Sequence, residues 1–225
     1  MPRPLPALEH LPTEFGIFPL EEALLLPGGR LPLNVFEPRY LALVEDSLAA
    51  GRFFGMLQPD PSAPVGPHGP GLFRVGCLGR LVAFEEAEDG RTLIALQGVI
   101  RFAVESELEG RRGYRRVRAD LARFAADIAP PAPVEGFDRA TLLARLRPYF
   151  ATRGINANWG AIEVLADAAL ITTLAMACPF GAAEQQALLE APTPAERARV
   201  LAALIEIDTH DTPEADAAPN RPRVS

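Results

Sequence analysis

The chain of 225 residues contains no lysine, so all 22 of its basic residues are arginines. A Walker A loop needs a lysine at the nucleotide phosphates, a Schiff-base enzyme needs an amine, and a Ser-Lys protease needs a lysine that loses its proton. Arginine replaces lysine in none of these roles, because its guanidinium stays protonated at any working pH. The composition therefore excludes these three classes of enzyme.

Cysteine and histidine are also scarce. Cys77 and Cys178 belong to no C-x-x-C pair, so we expect two buried thiols rather than a zinc knuckle or a disulfide framework. The three histidines lie in Pro- or Asp-rich stretches, where no base is positioned for a catalytic triad. Four carboxylates surround a predicted turn, which exposes them to solvent: Glu85, Glu86, Glu88 and Asp89. We therefore expect no catalytic residue, no metal and no cofactor.

Long apolar runs are missing as well. The longest uncharged stretch, between Asp167 and Glu184, contains Pro179 and is shorter than the roughly 20 residues that a membrane helix needs. Residues 1–4 are proline-rich, unlike the start of a secretory signal. The net charge of -7 disfavours polyanions as partners unless positive charge is segregated. We expect a cytoplasmic protein without a membrane partner.

The first half of the chain has the pattern of short strands with one helix. Residues 24–26 and 31–35 are predicted to form a hairpin, in which Pro32 demands an edge position or a bulge. Pro38 and Gly51 suit the first turn and the C-terminal cap of a helix. Further strands are predicted at residues 53–57, 73–85, 92–97, 99–105 and 114–121. Many short strands separated by turns favour a barrel or a strongly curved sheet.

The composition changes at residues 126–136, where three prolines predict a stiff connector. We therefore divide the chain into a strand-rich part, residues 1–125, and a helical part, residues 137–208. Residues 209–225 are rich in Asp, Pro and Ala, and we expect them to form a disordered tail. The predicted fold class is α+β, with a β barrel followed by a helical bundle.

Capping residues mark the helices of the second half. Asp138 is placed to cap the first helix, and Asn158 is placed to cap a longer one that Pro179 stops. Thr193 and Glu196 form a capping box around a proline at the first position of the last helix. A short helix precedes this last one. The pattern thus predicts a bundle of several helices.

Several motifs follow one another in the first half: Phe18-Pro19-Leu20, Leu26-Pro27-Gly28, Leu31-Pro32-Leu33-Asn34-Val35-Phe36-Glu37-Pro38-Arg39-Tyr40, Phe54-Gly55, Gly76-Cys77-Leu78-Gly79-Arg80 and Gly98-Val99-Ile100-Arg101-Phe102. Together they resemble the N-terminal substrate-binding domain of the ATP-dependent Lon protease, a bacterial family concerned with protein quality control. The helical half resembles that family less sharply, through residues 184–190 and Arg197.

The resemblance implies a PUA-like pseudo-barrel with one helix, followed by a helical bundle, in a domain that holds unfolded or damaged protein. The sequence shows no counterpart of the ATPase and protease modules of Lon, and it has no lysine for either. It is similar to stand-alone bacterial members of the family. We therefore expect a non-catalytic module and transfer no proteolytic residue to it.

The first candidate site is a peptide groove between barrel and bundle. Its predicted lining combines one arginine with aromatic residues near the junction: Phe36, Arg39, Tyr40, Trp159 and Phe180. The favoured alternative is structural, with Glu37 and Arg39 forming an ion pair and the aromatic side chains packing in the core. Both interpretations stay open at the level of sequence.

The second candidate site is the arginine strand, which we define as Arg111, Arg112, Arg115, Arg116, Arg118 and Arg123. On a PUA-like barrel such a strand suits RNA phosphates and bases. Only Tyr114 interleaves an aromatic ring, however, and the chain is acidic, so ion pairs with neighbouring carboxylates are favoured. The expected partners are Glu105, Glu107, Glu109 and Asp120.

The favoured function is therefore binding of protein segments, either from unfolded clients or from an ATP-dependent protease. RNA binding through the arginine strand is the alternative, and the net negative charge argues against it.

Overall fold

The computed structural model describes residues 6–88, 90–129 and 133–211. The strands are β1 Glu14–Pro19, β2 Arg30–Val35, β3 Phe53–Leu57, β4 Val75–Glu86, β5 Thr92–Arg111 and β6 Tyr114–Asp120. The helices are α1 Pro38–Ala49, α2 Arg139–Thr152, α3 Trp159–Glu163, α4 Asp167–Ala177, α5 Ala182–Glu190 and α6 Pro194–Asp211. Two 3-10 helices span Leu8–His10 and Ala122–Ile128. The fold is α+β, as predicted.

The six strands form one mixed sheet that closes on itself through β5. Their order is β2-β5-β4-β3-β1-β6, and β5 also pairs with β6. β5 serves both ends because it is 20 residues long: its first half pairs with β2 and β4, and its last residues pair with β6. The pair β1–β3 is parallel, whereas the other pairs are antiparallel. The predicted barrel is confirmed, with β2 attached outside the closed ring.

The predicted hairpin is wrong, although its second arm is a strand. Residues 24–26 form no strand, and β2 pairs with β5 instead, with Leu31 opposite Leu96. Leu24, Leu25 and Leu26 are all at least nine-tenths buried, and a half-exposed strand cannot bury three consecutive side chains. Packing in the core, rather than strand pairing, therefore determines the conformation of residues 24–26. β2 pairs with no other strand in the described ranges, which is the edge position that its proline demands.

A single bent strand, β5, replaces two predicted strands. They merge at Gly98, which pairs with Gly79 where the register of the β4–β5 ladder shifts. A Cβ atom on Gly98 would lie 2.1 Å from the carbonyl oxygen of Leu26, so only glycine fits the bend. β1 is a strand that the sequence did not predict. Its central Gly16 makes room for Leu43.

The caps of the helical half largely follow the prediction. The carboxylate of Asp138 accepts a hydrogen bond from the backbone of Thr141 at 3.0 Å. The Thr193 hydroxyl accepts from the backbone N–H of Glu196 at 3.2 Å and donates to its carboxylate at 3.0 Å. α6 reaches Asp211, three residues beyond the predicted end. The other predicted tail residues, 212–225, and connector residues 130–132 lie outside the described ranges.

The long helix predicted after Asn158 is two helices, α3 and α4. Asn158 does cap a helix, since its side chain accepts from the backbone of Ala161, but that helix has only five residues. Arg139 occupies the break. Its Nη1 donates to the Leu165 carbonyl and to the Asp167 carboxylate, both at 2.8 Å, and these contacts satisfy the polar groups of an interrupted helix.

A common core joins the two halves. The larger cluster of buried apolar side chains includes residues from barrel strands, α1, α2, α4, α5 and α6, whereas a smaller cluster lies inside the barrel around Phe102. Both cysteines are buried free thiols, as expected. Burial raises the pKa of Cys77, and it raises that of Cys178 to about 12, which keeps both thiols protonated and unreactive.

Candidate functional site

The residues at the start of α1 form the contacts of the structural interpretation. Arg39 donates to the Glu37 carboxylate at 2.7 Å, and its guanidinium lies 4.6 Å from the centre of the Tyr40 ring. Tyr40 is buried, with its ring centroid 4.0 Å from that of Phe18 and its hydroxyl 3.4 Å from the Pro19 carbonyl. Burial raises the pKa of Tyr40. These side chains fix the junction between strand and helix.

The two aromatic residues predicted in the helical half pack within that half. Phe180 is buried, with its ring centroid 6.4 Å from that of Tyr149. Trp159 is partly buried beside Phe150, at 5.6 Å between centroids, and Arg147 lies over its ring at 4.6 Å. Tyr40, Phe180 and Trp159 therefore pack against three different aromatic partners. Their contact with a peptide stays a prediction.

Arg101 lies in the interior of the junction between barrel and bundle and forms several hydrogen bonds there, although no role was predicted for it. Its guanidinium donates to both oxygens of Asp127, at 2.8 and 2.7 Å. It also donates to the carbonyls of Leu189 at 3.2 Å, Ala191 at 2.8 Å and Pro192 at 3.2 Å. One side chain thus joins β5, the second 3-10 helix and the connection between α5 and α6.

Arg197 extends this buried polar network from α6. It donates to the carbonyls of Leu188 at 2.8 Å and Ala191 at 3.4 Å. Its burial, together with the like charge of Arg101, lowers the pKa of Arg197 to about 10. One feature of the sequence indicates this network: a single charge, Arg101, within the apolar run of residues 99–104. A buried strand rarely holds an unpaired charge, so such an arginine is expected to have a buried partner.

Four of the six arginines of the arginine strand form ion pairs: Arg111 with Asp46 at 3.1 Å, Arg112 with Glu45 at 2.7 Å and Asp46 at 3.0 Å, Arg115 with Glu107, and Arg118 with Glu14 at 2.6 Å, whereas Arg116 and Arg123 form none within the described residues. Of the four predicted partners, only Glu107 forms an ion pair with the strand. The remaining observed partners, Glu14, Glu45 and Asp46, were not predicted. They belong to β1 and α1, which pack beside β6. Because these guanidiniums already have carboxylate partners, the geometry does not favour the RNA alternative.

An exposed apolar surface lies at the end of the sheet formed by β2, β5 and β4. Seven large hydrophobic side chains are exposed in the described ranges, and four of them belong here: Phe36 at 63%, Val82 at 46%, Phe84 at 41% and Leu93 at 46%. We call these four residues the hairpin-end surface, after the hairpin that β4 and β5 form. Among them, only Phe36 was predicted as a binding residue.

The pairing register brings the hairpin-end surface together. Phe84 lies opposite the buried Ile94 on β5. Leu93 lies opposite Glu85, and Phe36 follows the last residue of β2. Since neighbouring residues of a strand point to opposite faces, Phe84 and Leu93 lie on different faces. The hairpin-end surface therefore has apolar side chains on both faces of the sheet.

Exposed carboxylates accompany this surface. Glu85, Glu86 and Glu88 are exposed, as the predicted turn requires, and none of them forms an ion pair within the described part of the chain. The fourth predicted carboxylate, Asp89, lies outside it. The end of the sheet is thus both apolar and negatively charged.

A separate cleft of about 310 Å³ opens where the barrel meets α5. It is lined by Glu21, Glu22, Pro59, Asp60, Pro61, Ala63, Val65, Pro70, Gly71 and Ala182. Two hydrogen bonds from Ser62 lower the pKa of Asp60. None of the predicted groove residues lines this cleft.

None of the helices in residues 6–88, 90–129 and 133–211 is long and apolar enough to span a bilayer. In those residues, no three His, Cys, Asp or Glu side chains are arranged to hold a metal ion.

Comparison with known proteins gives a consistent set of relatives. The family described as "ATP-dependent protease La (LON) substrate-binding domain" matches residues 14–206. Lon protease 2 of Myxococcus xanthus is 28% identical over 112 residues, which are 50% of this chain and 13% of that protein. Lon protease of Dictyoglomus thermophilum is 30% identical over 108 residues, 48% of this chain and 13% of the relative. The chain therefore spans a small part of these curated relatives.

Two solved structures share the fold. The Lon N-terminal domain protein from Xanthomonas campestris superposes with a TM-score of 0.57 at 24% identity, over 85% of this chain and 98% of that one. The N-terminal domain of Mycobacterium avium complex Lon protease gives 0.54 at 18% identity, over 86% and 98%. Both likenesses cover barrel and bundle together.

Proposed function

The chain belongs to the Lon substrate-binding domain family, and from this premise we propose that it binds unstructured segments of other proteins and performs no chemistry itself. The segments come from unfolded clients in the cytoplasm or from an ATP-dependent protease that receives them. The family match is to the substrate-binding domain, so the proteolytic activity of whole Lon proteases is not part of the proposal.

The hairpin-end surface is the observation that carries this proposal. Isolated exposed hydrophobic residues are ordinary on protein surfaces, but a group of them at one end of a sheet marks an interaction site. Phe36, Val82, Phe84 and Leu93 form such a group. Unfolded chains expose the side chains that would pack against it.

A binding assay with matched variants tests the proposal. The probe is reduced, carbamidomethylated ribonuclease A, labelled with a fluorophore and titrated with the protein while anisotropy is recorded. The variant Phe84→Ser/Leu93→Ser removes two residues of the hairpin-end surface. The control Val164→Ser/Ile207→Ser removes two exposed hydrophobic residues elsewhere. Circular dichroism and the urea midpoint confirm that both variants fold.

We expect the surface variant to bind at least about tenfold more weakly, because each buried Phe or Leu contributes about 1.5–3 kcal/mol. The control should bind like the wild type. Equal affinity of both variants would show that the hairpin-end surface is not the site, and absence of wild-type binding would refute the proposed function.

A further inference from the structure

The hairpin-end surface places a carboxylate beside an apolar anchor on each face of the sheet. Glu85 is the cross-strand partner of Leu93, and Cβ atoms of such partners are about 5 Å apart. Glu86 follows Phe84 by two residues and therefore shares its face. A segment that covers either anchor must pass within a few ångströms of a negative charge.

Local arginines leave this charge uncompensated. Arg39, near Phe36, is already paired with Glu37. Arg30 and Arg80 lie opposite Gln97 in the strand pairings. Gln97 is four residues along β5 from Leu93, or about 13 Å away. Glu85 and Glu86 are thus available to a partner.

The local charges outweigh the overall charge in choosing a partner. The net charge of -7 attracts cationic chains in general, but charges farther away than about 10 Å are largely screened at 0.1 M salt. Carboxylates adjacent to the anchors act over a shorter range. They favour a cation on the bound segment and disfavour an anion, which adds selection to the affinity that apolar contacts supply.

We propose that the hairpin-end surface selects protein segments in which arginine or lysine flanks apolar side chains, and that it rejects acidic segments of equal apolar content. This inference rests on the proposed function. Phe84 and Leu93 provide the apolar contacts, and Glu85 and Glu86 discriminate between charges.

Three short fluorescent peptides test the selection. They share the same phenylalanines and leucines and differ only at flanking positions, which hold arginine, glutamine or glutamate. Each is titrated with the wild type at about 50 mM and about 500 mM NaCl. We expect the arginine peptide to bind about threefold to tenfold more tightly than the glutamine peptide, the glutamate peptide to bind most weakly, and the differences to shrink at high salt.

Two double variants locate the discrimination. Glu85→Gln/Glu86→Gln should bring the arginine and glutamine peptides to nearly equal affinity. The control Glu21→Gln/Glu22→Gln changes the net charge equally but lies at the cleft beside α5, and it should preserve the wild-type ratio. If the control reduces the ratio as much, selection comes from the cleft or the overall charge, and the inference is wrong.

The remaining outcomes separate the inference from the proposed function. If the three peptides bind equally and Phe84→Ser/Leu93→Ser weakens them all, charge selection is refuted and the apolar site stands. If neither the peptides nor unfolded ribonuclease A binds the wild type, both proposals fail together.

Discussion

Arg101 and Arg118 lie on the paired strands β5 and β6, yet their surroundings differ completely. The Arg101 side chain is 5% exposed and donates to a buried carboxylate and three carbonyls. The Arg118 side chain is 53% exposed and pairs with Glu14 in solvent. Removing one partner of a buried pair leaves an uncompensated charge, whereas water replaces a lost surface partner. The role of an arginine here follows from its burial.

The same contrast explains why the arginine strand, and not Arg101, was predicted as a candidate site. The arginine strand is conspicuous because its charges are closely spaced in the sequence, and the structure shows four of the six in ion pairs. Arg101 is a single letter within an apolar run, but it joins the two halves of the molecule. The following variants test whether burial ranks these arginines as the structure implies.

The largest effect is expected for Arg101→Met. This change removes the partner of Asp127 and the donors to three carbonyls, and such losses cost about 3–5 kcal/mol. Urea unfolding followed by circular dichroism measures it. The second change in Arg101→Met/Asp127→Leu should restore part of the lost stability, because no buried charge remains unpaired. Wild-type stability of the single variant would contradict the ranking.

Arg139→Met should have an intermediate effect. The Arg139 side chain is 28% exposed and donates to Leu165, Asp167 and two further carbonyls at the break between α3 and α4. Water reaches some of these groups, so we expect a loss of about 1–3 kcal/mol. The urea midpoint gives the size, and amide exchange in α3 and α4 shows whether the loss is local. A loss equal to that of Arg101→Met would break the proposed order.

Tyr114→Phe tests a hydrogen bond that lies beside the arginine strand. The Tyr114 hydroxyl donates to Asp46 at 2.7 Å, and its removal should cost about 1 kcal/mol at neutral pH. Burial, followed by the hydrogen bond to Asp46, raises the pKa of Tyr114 from 10.0 to about 12. The folded state therefore holds this proton more tightly than the unfolded state.

The stability that Tyr114 contributes is consequently complete below pH 10 and is lost as the pH rises toward about 12. Unfolding curves at several pH values in this window should fall less steeply for Tyr114→Phe than for the wild type. Identical slopes would show that Tyr114 titrates alike in both states.

The smallest effect is expected for Arg118→Met. Its ion pair with Glu14 is exposed, so salt and water already weaken it. The urea midpoint should match that of the wild type at low and at high salt. A clear, salt-dependent loss of stability would show that the surface network acts as a unit and would narrow the difference from Arg101.

Sequence patterns predicted the features that depend on local chemistry. Pro38, Asp138 and Thr193 each occupy the helix terminus where they were expected, because a cap is satisfied by neighbours in the chain. Strand alternation and the number of turns predicted the barrel. The merging of two strands at Gly98 could not be predicted, since it depends on the close approach of Leu26 from another segment.

The candidate site was predicted less well for a related reason. Tyr40 and Phe180 were considered as groove residues because they are aromatic, but each is buried by partners distant in sequence or on another helix. The hairpin-end surface depends on the pairing of β4 with β5 and of β5 with β2. A local sequence pattern does not indicate which strands become neighbours in the sheet.

By itself, the sequence determined the α+β class, the barrel-then-bundle order, the helix caps, the buried thiols and the family resemblance, all of which depend on composition, periodicity or short-range contacts. The tertiary structure alone decided that Arg101 joins the two halves, that three arginines of the arginine strand pair with α1 and β1, and that exposed hydrophobic residues lie near Glu85 and Glu86 at one end of the sheet. These features arise between segments far apart in the chain, where burial and register, rather than residue type, set the energy of each contact.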